Sequence, residues 1–209
     1  MKGLILKDLL NMKQQWKVYL LVIVAWFVLS IFNDNYAFFG SIMVMLVILL
    51  PMTSMAYDDK VGWEHYALTM PVSRKDLMFS RYLILLLIAL CAGVISVAGG
   101  FLISRNLQEN IMFMLVLMPL GLMMGCVLLP IMFRFGVEKG RYVFLGIFIL
   151  LVVAFLLMKR QGLLIELASS WGLLTVSQEM LALLLWGAAL VVFLASVLVS
   201  GGIYRRKDF

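Results

Sequence analysis

Tyr57 to Arg81 reads YDDKVGWEHYALTMPVSRKDLMFSR and is the longest polar interruption in a chain that otherwise reads as membrane. It holds four acids (Asp58, Asp59, Glu64, Asp76), four bases (Lys60, Arg74, Lys75, Arg81) and the only histidine, His65, so it is expected to lie in water. Asp58 and Asp59 suit the cap of a short helix whose Val61, Trp63, Tyr66, Ala67 and Met70 give it some apolar surface. Pro71 ends that helix, because the residue before a proline is pushed out of the helical region. Ser73, with Asp76 three residues on, then reads as a capping box for a helix entering the bilayer near Tyr82. A short surface helix with both charge signs and two large aromatics is built to touch another protein.

Outward from this stretch the chain is greasy. Of its 209 residues 65% are hydrophobic and 13% charged, about half the charge of an ordinary soluble domain, which excludes a soluble core. Apolar runs of about twenty residues place six spans near 18–32, 36–56, 82–103, 111–133, 142–158 and 180–203. The fold expected is all-α integral membrane. Fourteen lysines and arginines then fall in the termini and alternate connections on one side, against Arg105, Lys159 and Arg160 on the other. That asymmetry puts both termini and the 57–81 loop in the cytoplasm, and it accounts for the net charge of +6 without a nucleic-acid partner.

Ahead of the first span, residues 1–17 read as an amphipathic interfacial helix. Ile5, Leu9, Met12 and Trp16 share one face, with Lys7, Asp8, Asn11, Gln14 and Gln15 opposite. Asn33-Asp34-Asn35 turns the first span straight back into the second, where Pro51 is either a hinge or a static kink, with Thr53 and Ser54 placed to help satisfy the freed carbonyls. Gly93, Ser96, Gly99 and Gly100 let another helix approach the third span closely. Residues 161–179 are too apolar for an ordinary loop and read as a short re-entrant or interfacial segment on the outer side, anchored by Trp171. There is no internal repeat, so the chain forms one domain.

The chemistry is notable for what it lacks. No Asp, Glu, Lys, Arg or His falls inside the six spans, which disfavours an ion-coupled carrier. One histidine and two cysteines in apolar runs leave almost no material for a metal centre, and no catalytic set for a membrane enzyme appears. No GxxxxGK[ST] loop is present, so an ATP-driven role needs the nucleotide site on another chain.

The opening KGLILKDLLNMKQQWK (2–17), the loop DDKVGWEHYALTMPVSRKDLMFSRYL (58–83) and the turn RFGVEKGRY (134–142) together resemble the small six-span ABC-2 type permeases of ATP-binding-cassette exporters. Within that class the chain resembles the bacterial subgroup that exports amphipathic peptides such as phenol-soluble modulins. The resemblance implies two permease chains paired as a homodimer in the bacterial plasma membrane, with two separate ATPase subunits carrying ATP and Mg²⁺ beneath them. It maps the coupling helix onto Asp58 to Ala67, with Asp58, Asp59, Lys60, Trp63, Glu64, His65 and Tyr66 as ATPase contacts. It adds Lys7 on the N-terminal helix, and Gly136, Glu138 and Lys139 in the fourth loop. It also lines the translocation path with spans two and five, here Met43, Met52, Met55, Phe144, Phe148 and Phe155. Met and Phe make an adaptable apolar surface, suited to the greasy face of a peptide or lipid, and equally to ordinary packing or lipid contact. The competing reading is a stand-alone membrane immunity or scaffold protein without an ATPase.

Overall fold

The computed structural model describes residues 2–13, 15–67, 69, 73–160 and 177–206. Among them every regular element is an α-helix: α1 (Lys2–Lys13), α2 (Trp16–Phe32), α3 (Tyr36–Val61), α4 (Trp63–Ala67), α5 (Arg74–Ser104), α6 (Leu107–Phe135), α7 (Val137–Arg160) and α8 (Gln178–Arg206). Four of these, α3, α5, α6 and α8, are long and apolar enough to cross a membrane. The α1–α2 pair, whose axes meet at 69°, qualifies as a fifth when taken as one bent span. The expected outer segment at 161–179 lies almost wholly outside the described residues.

Several helices overrun the apolar runs that announced them. Hydropathy sees only the part of a helix that suits hydrocarbon, whereas backbone hydrogen bonding continues to the next cap. α3 starts at Asn35, whose side chain accepts from Ala37 N at 2.9 Å, and runs to Gly62, which takes the left-handed conformation at φ 64°. Asp58 and Asp59 therefore sit in the last turn of a 26-residue helix and do not cap the short one, which shrinks to the five residues of α4. At the start of α5 the expected capping box is present: the Ser73 hydroxyl accepts from Asp76 N, and the Asp76 carboxylate accepts from Ser73 N.

The core is where α3, α5 and α6 meet, around Met43, Val47, Leu85, Tyr82 and Phe133. Close approach depends on missing side chains. A Cβ on Gly121 would stand 2.5 Å from Val44 Cγ1, one on Gly125 would stand 2.8 Å from Leu85 Cδ1, and Gly99 sits against the Phe39 ring.

α6 and α8 are joined by a different device. Pro119 and Pro130 lack the N–H that would bond Leu115 O and Cys126 O, four residues back in α6. α8 supplies both missing donors: Trp186 Nε1 donates to Leu115 O at 3.0 Å, and the Ser196 hydroxyl donates to Cys126 O. Tyr82 of α5 closes the junction, its hydroxyl lying 2.6 Å from Ser196 Oγ and 2.7 Å from Ser200 Oγ. Pro51 in α3 is served differently from what its neighbours suggested. Thr53 donates to Leu49 O, and the Ser54 hydroxyl is drawn away to Asp8, so neither reaches the carbonyl of Val47 that Pro51 leaves free.

Candidate functional site

The polar stretch does not simply lie in water. Asp58 is 4% exposed and Arg81 6%, because α3 and α5 carry them past the ends of their apolar runs into contact with α1. There they meet Lys7 and Asp8. Lys7 Nζ lies 2.9 Å from Asp8 Oδ1 and 2.6 Å from Asp58 Oδ2, Arg81 Nη1 lies 2.7 Å from Asp8 Oδ1, and Arg81 Nη2 pairs with Asp58 Oδ2. Each cation touches both acids and each acid both cations, so the four charges close an alternating, neutral ring.

Second partners complete it. Ser54 Oγ donates to Asp8 Oδ1 at 3.1 Å, and Asn11 Nδ2 donates to Asp58 Oδ1 at 3.1 Å. One turn further, Gln15 Nε2 donates to Tyr57 Oη at 2.6 Å while Tyr19 Oη donates to Gln15 Oε1 at 3.2 Å. Lys7 also stands 4.6 Å from the centroid of the Trp63 ring, which brings α4 onto the ring of charges.

This arrangement reverses the expected setting of α1. Its polar residues Lys7, Asp8 and Asn11 turn into the protein, while Leu6, Leu9 and Leu10 are 59%, 48% and 54% exposed and Trp16 is 52% exposed. The apolar face is free to meet lipid, but the polar face does not meet water. Polar satisfaction accounts for the rotation: Asp8, 1% exposed, takes its partners from Lys7, Arg81 and Ser54, and Asp58 gains Lys7 and Asn11 beside its pair with Arg81.

Asp59, next to Asp58, points the other way. Its Oδ2 accepts from Val137 N at 3.0 Å, at the first turn of α7, where exposed N–H groups and the helix dipole favour an anion. Gly136, at φ 83°, makes the sharp bend that exposes this N–H. Two segments far apart in sequence, 58–67 and 136–141, are thereby brought together. Asp59, Lys60, Tyr66, Glu138 and Lys139 are exposed there, Trp63 and Gly136 are half-buried, and Asp58 and Lys7 are occupied by the ring. The side chains of Glu64 and His65 lie outside the described residues. Asp8, Arg81, Asn11 and Ser54 were not anticipated; the available signal was a lone acid and a last base, each at the edge of an apolar run.

An apolar groove of about 820 Å³ opens between α2, α3, α6 and α7, lined by Trp26, Met45, Met123, Met124, Phe144 and Phe148 among others. Phe144 and Phe148, expected on a translocation path, line this groove, stacked with centroids 6.2 Å apart. Met43, Met52 and Met55 instead turn into the core, at 1%, 5% and 4% exposure. The side chain of Phe155 lies outside the described residues. Among the described residues no group of three or more His, Cys, Asp or Glu is placed to hold a metal ion.

No curated protein matches the chain in a sequence comparison. A family model described as ABC-2 family transporter protein matches residues 3–205, almost its whole length. On that match the chain, multi-pass and helical, belongs to the ABC-2 transporter family.

Proposed function

We propose that this chain is the permease subunit of an ATP-binding-cassette exporter, with the exposed patch around Asp59, Lys60, Tyr66, Glu138 and Lys139 as the seat of a separate ATPase. ABC-2 permeases are membrane subunits that generally pair with such an ATPase. The observation that carries the reading is the bond from Val137 N to Asp59: it joins the two segments that the sequence resemblance assigned separately to ATPase contact. Trp63, Glu64 and His65 complete the seat on α4, the coupling helix of this reading. ATP and Mg²⁺ belong to the partner.

In this reading α2 and α7 also cross the bilayer, giving six spans with both termini in the cytoplasm of a bacterial plasma membrane. The asymmetry of basic residues supports that orientation. Two copies pair, and closure of the ATPases around ATP pushes α4 and tilts α3 and α5, switching access from inside to outside. The cargo is amphipathic or hydrophobic, with a helical peptide as the favoured class. The Met- and Phe-lined groove supports it, because such side chains adapt to varied apolar shapes.

The test is affinity purification of the detergent-solubilised chain, followed by identification of bound polypeptides and reconstituted transport of amphipathic helical peptides. A co-purifying chain with a Walker A motif, lost when Lys60 and Tyr66 are both replaced by Ala, is the expected result. Peptide movement by the chain alone would overturn the reading, and a chain with neither partner nor transport would favour the immunity or scaffold role.

A further inference from the structure

We propose that Lys7, Asp8, Asp58 and Arg81 act as positioning residues that lock α1 and α4 into one input lever, so that α1 follows α4 when α4 is pushed. The mechanical role rests on the exporter reading; the lock itself does not. Apolar contact would have sufficed to hold a helix in place, and α1 had Leu6, Leu9 and Leu10 available for it. Those residues face outward; Leu4 and Met12 pack on the core, and between them Lys7, Asp8 and Asn11 face in. The difference matters because apolar contact is non-directional, whereas an ionic ring has one register. Sliding or rolling α1 by a single residue would separate pairs now 2.6 to 2.9 Å apart and leave charges buried without compensation. The ring is therefore either closed or broken, with little between.

Its connections give it reach. Asp58 and Ser54 bring in α3, Arg81 brings in α5, and Lys7 lies against Trp63 of α4. The second row, Gln15 with Tyr57 and Tyr19, fixes the start of α2 to α3 in the same register. Low exposure at all four charges, 19% for the Lys7 side chain and 8% or less for the others, keeps salt and water from screening the ring. Lys7 is the shared member: it belongs to the ring and to the Trp63 contact together.

The experiment measures the lock directly. Nitroxide labels at Leu10→Cys and Tyr66→Cys, both exposed positions, go on the full chain carrying Cys91→Ser and Cys126→Ala. Electron–electron distance distributions are compared for the parent, Lys7→Arg, Asp8→Asn and the pair Lys7→Gln with Asp8→Asn. The parent and Lys7→Arg should give one narrow distance, and Asp8→Asn a broad one. The double variant is neutral again, so it should recover thermal stability relative to Asp8→Asn while its distance stays broad, because Lys7 no longer holds Trp63. A purely structural ring would restore both together. In the complex of the ATPase with the label-free chain, Tyr66 intact, Asp8→Asn should retain hydrolysis while transport per ATP falls about tenfold, within the roughly 5–150-fold range of a coupling free energy. A narrow distance in Asp8→Asn, or its recovery in the double variant, would overturn the lock. If no ATPase accompanies the chain, the exporter reading fails while the distance measurement still decides the lock.

Discussion

Replacing Trp186 by Phe removes the indole N–H together with part of the ring, and the consequence should depend on a residue in another helix. In the parent, Pro119 deprives Leu115 O of its helical donor and Trp186 Nε1 fills the gap at 3.0 Å. Trp186→Phe leaves that carbonyl facing hydrocarbon. Hydrogen bonds between membrane helices average about 0.6 kcal/mol and reach about 1.7. A carbonyl with no alternative donor belongs toward the upper end, so a loss of about 1 to 1.5 kcal/mol is expected. Pro119→Ala restores an N–H within α6 and makes Leu115 O self-sufficient. In that background Trp186→Phe should cost under about 0.5 kcal/mol, the residue of lost ring contact. The cycle therefore predicts a coupling of about 1 kcal/mol between positions 119 and 186, read as the non-additivity of four stabilities from reversible unfolding in mixed micelles. Equal losses in both backgrounds would refute the argument, because the indole would then be acting by packing alone.

Two further outcomes test other joints. Gly121→Ala should destabilise by about 1 to 3 kcal/mol, since its Cβ would meet Val44 Cγ1 at 2.5 Å and a β-branched side chain has little freedom to turn away; Val44→Ala should recover most of the loss in the same unfolding assay. Asp59→Ala should free the first turn of α7 and cost about 0.5 to 2 kcal/mol, the range for losing a helix cap, with faster amide hydrogen exchange at Val137 to Gly140 as the local readout. Exchange unchanged there would show that Gly136 and packing hold the turn without the carboxylate.

The membrane character, the helical class and most connections were legible because each depends on local chemistry. Asn33-Asp34-Asn35 turns the chain, and Ser73 with Asp76 caps α5, as read from the residues alone. What was not legible is what depends on a neighbour. Met45 and Met52, seven residues apart, share one helical phase, yet Met45 is 37% exposed on the groove while Met52 is buried against α6. No periodicity separates them. The rotation of α1 was missed for a related reason: amphipathic reasoning assumes that polar residues seek water, and here they seek Asp58 and Arg81. The end of α3 was misplaced because Asp58 and Asp59 are helix formers enough to continue a helix already hydrogen-bonded, so Gly62 ends it.

The polar contacts fall where apolar packing has least to say. Lipid tails are as apolar as leucine, so burial gives two membrane helices little reason to choose one register over another. Each principal junction here carries something directional: the ionic ring between α1, α3 and α5, the Tyr82 hydroxyl between α5 and α8, and the proline-freed carbonyls between α6 and α8. Close glycine contacts serve the same end between α3, α5 and α6. α7 is the contrast. Among the described residues its directional ties lie at one end, in Asp59 with Val137 and in the approach of Gly140 to Met132, and the rest of its length presents Phe148, Ile149, Leu150 and Leu156 outward. Since Asp59, bonded to Val137 N, is adjacent to the ring member Asp58, whatever shifts the last turn of α3 acts on the ring and on the first turn of α7 together.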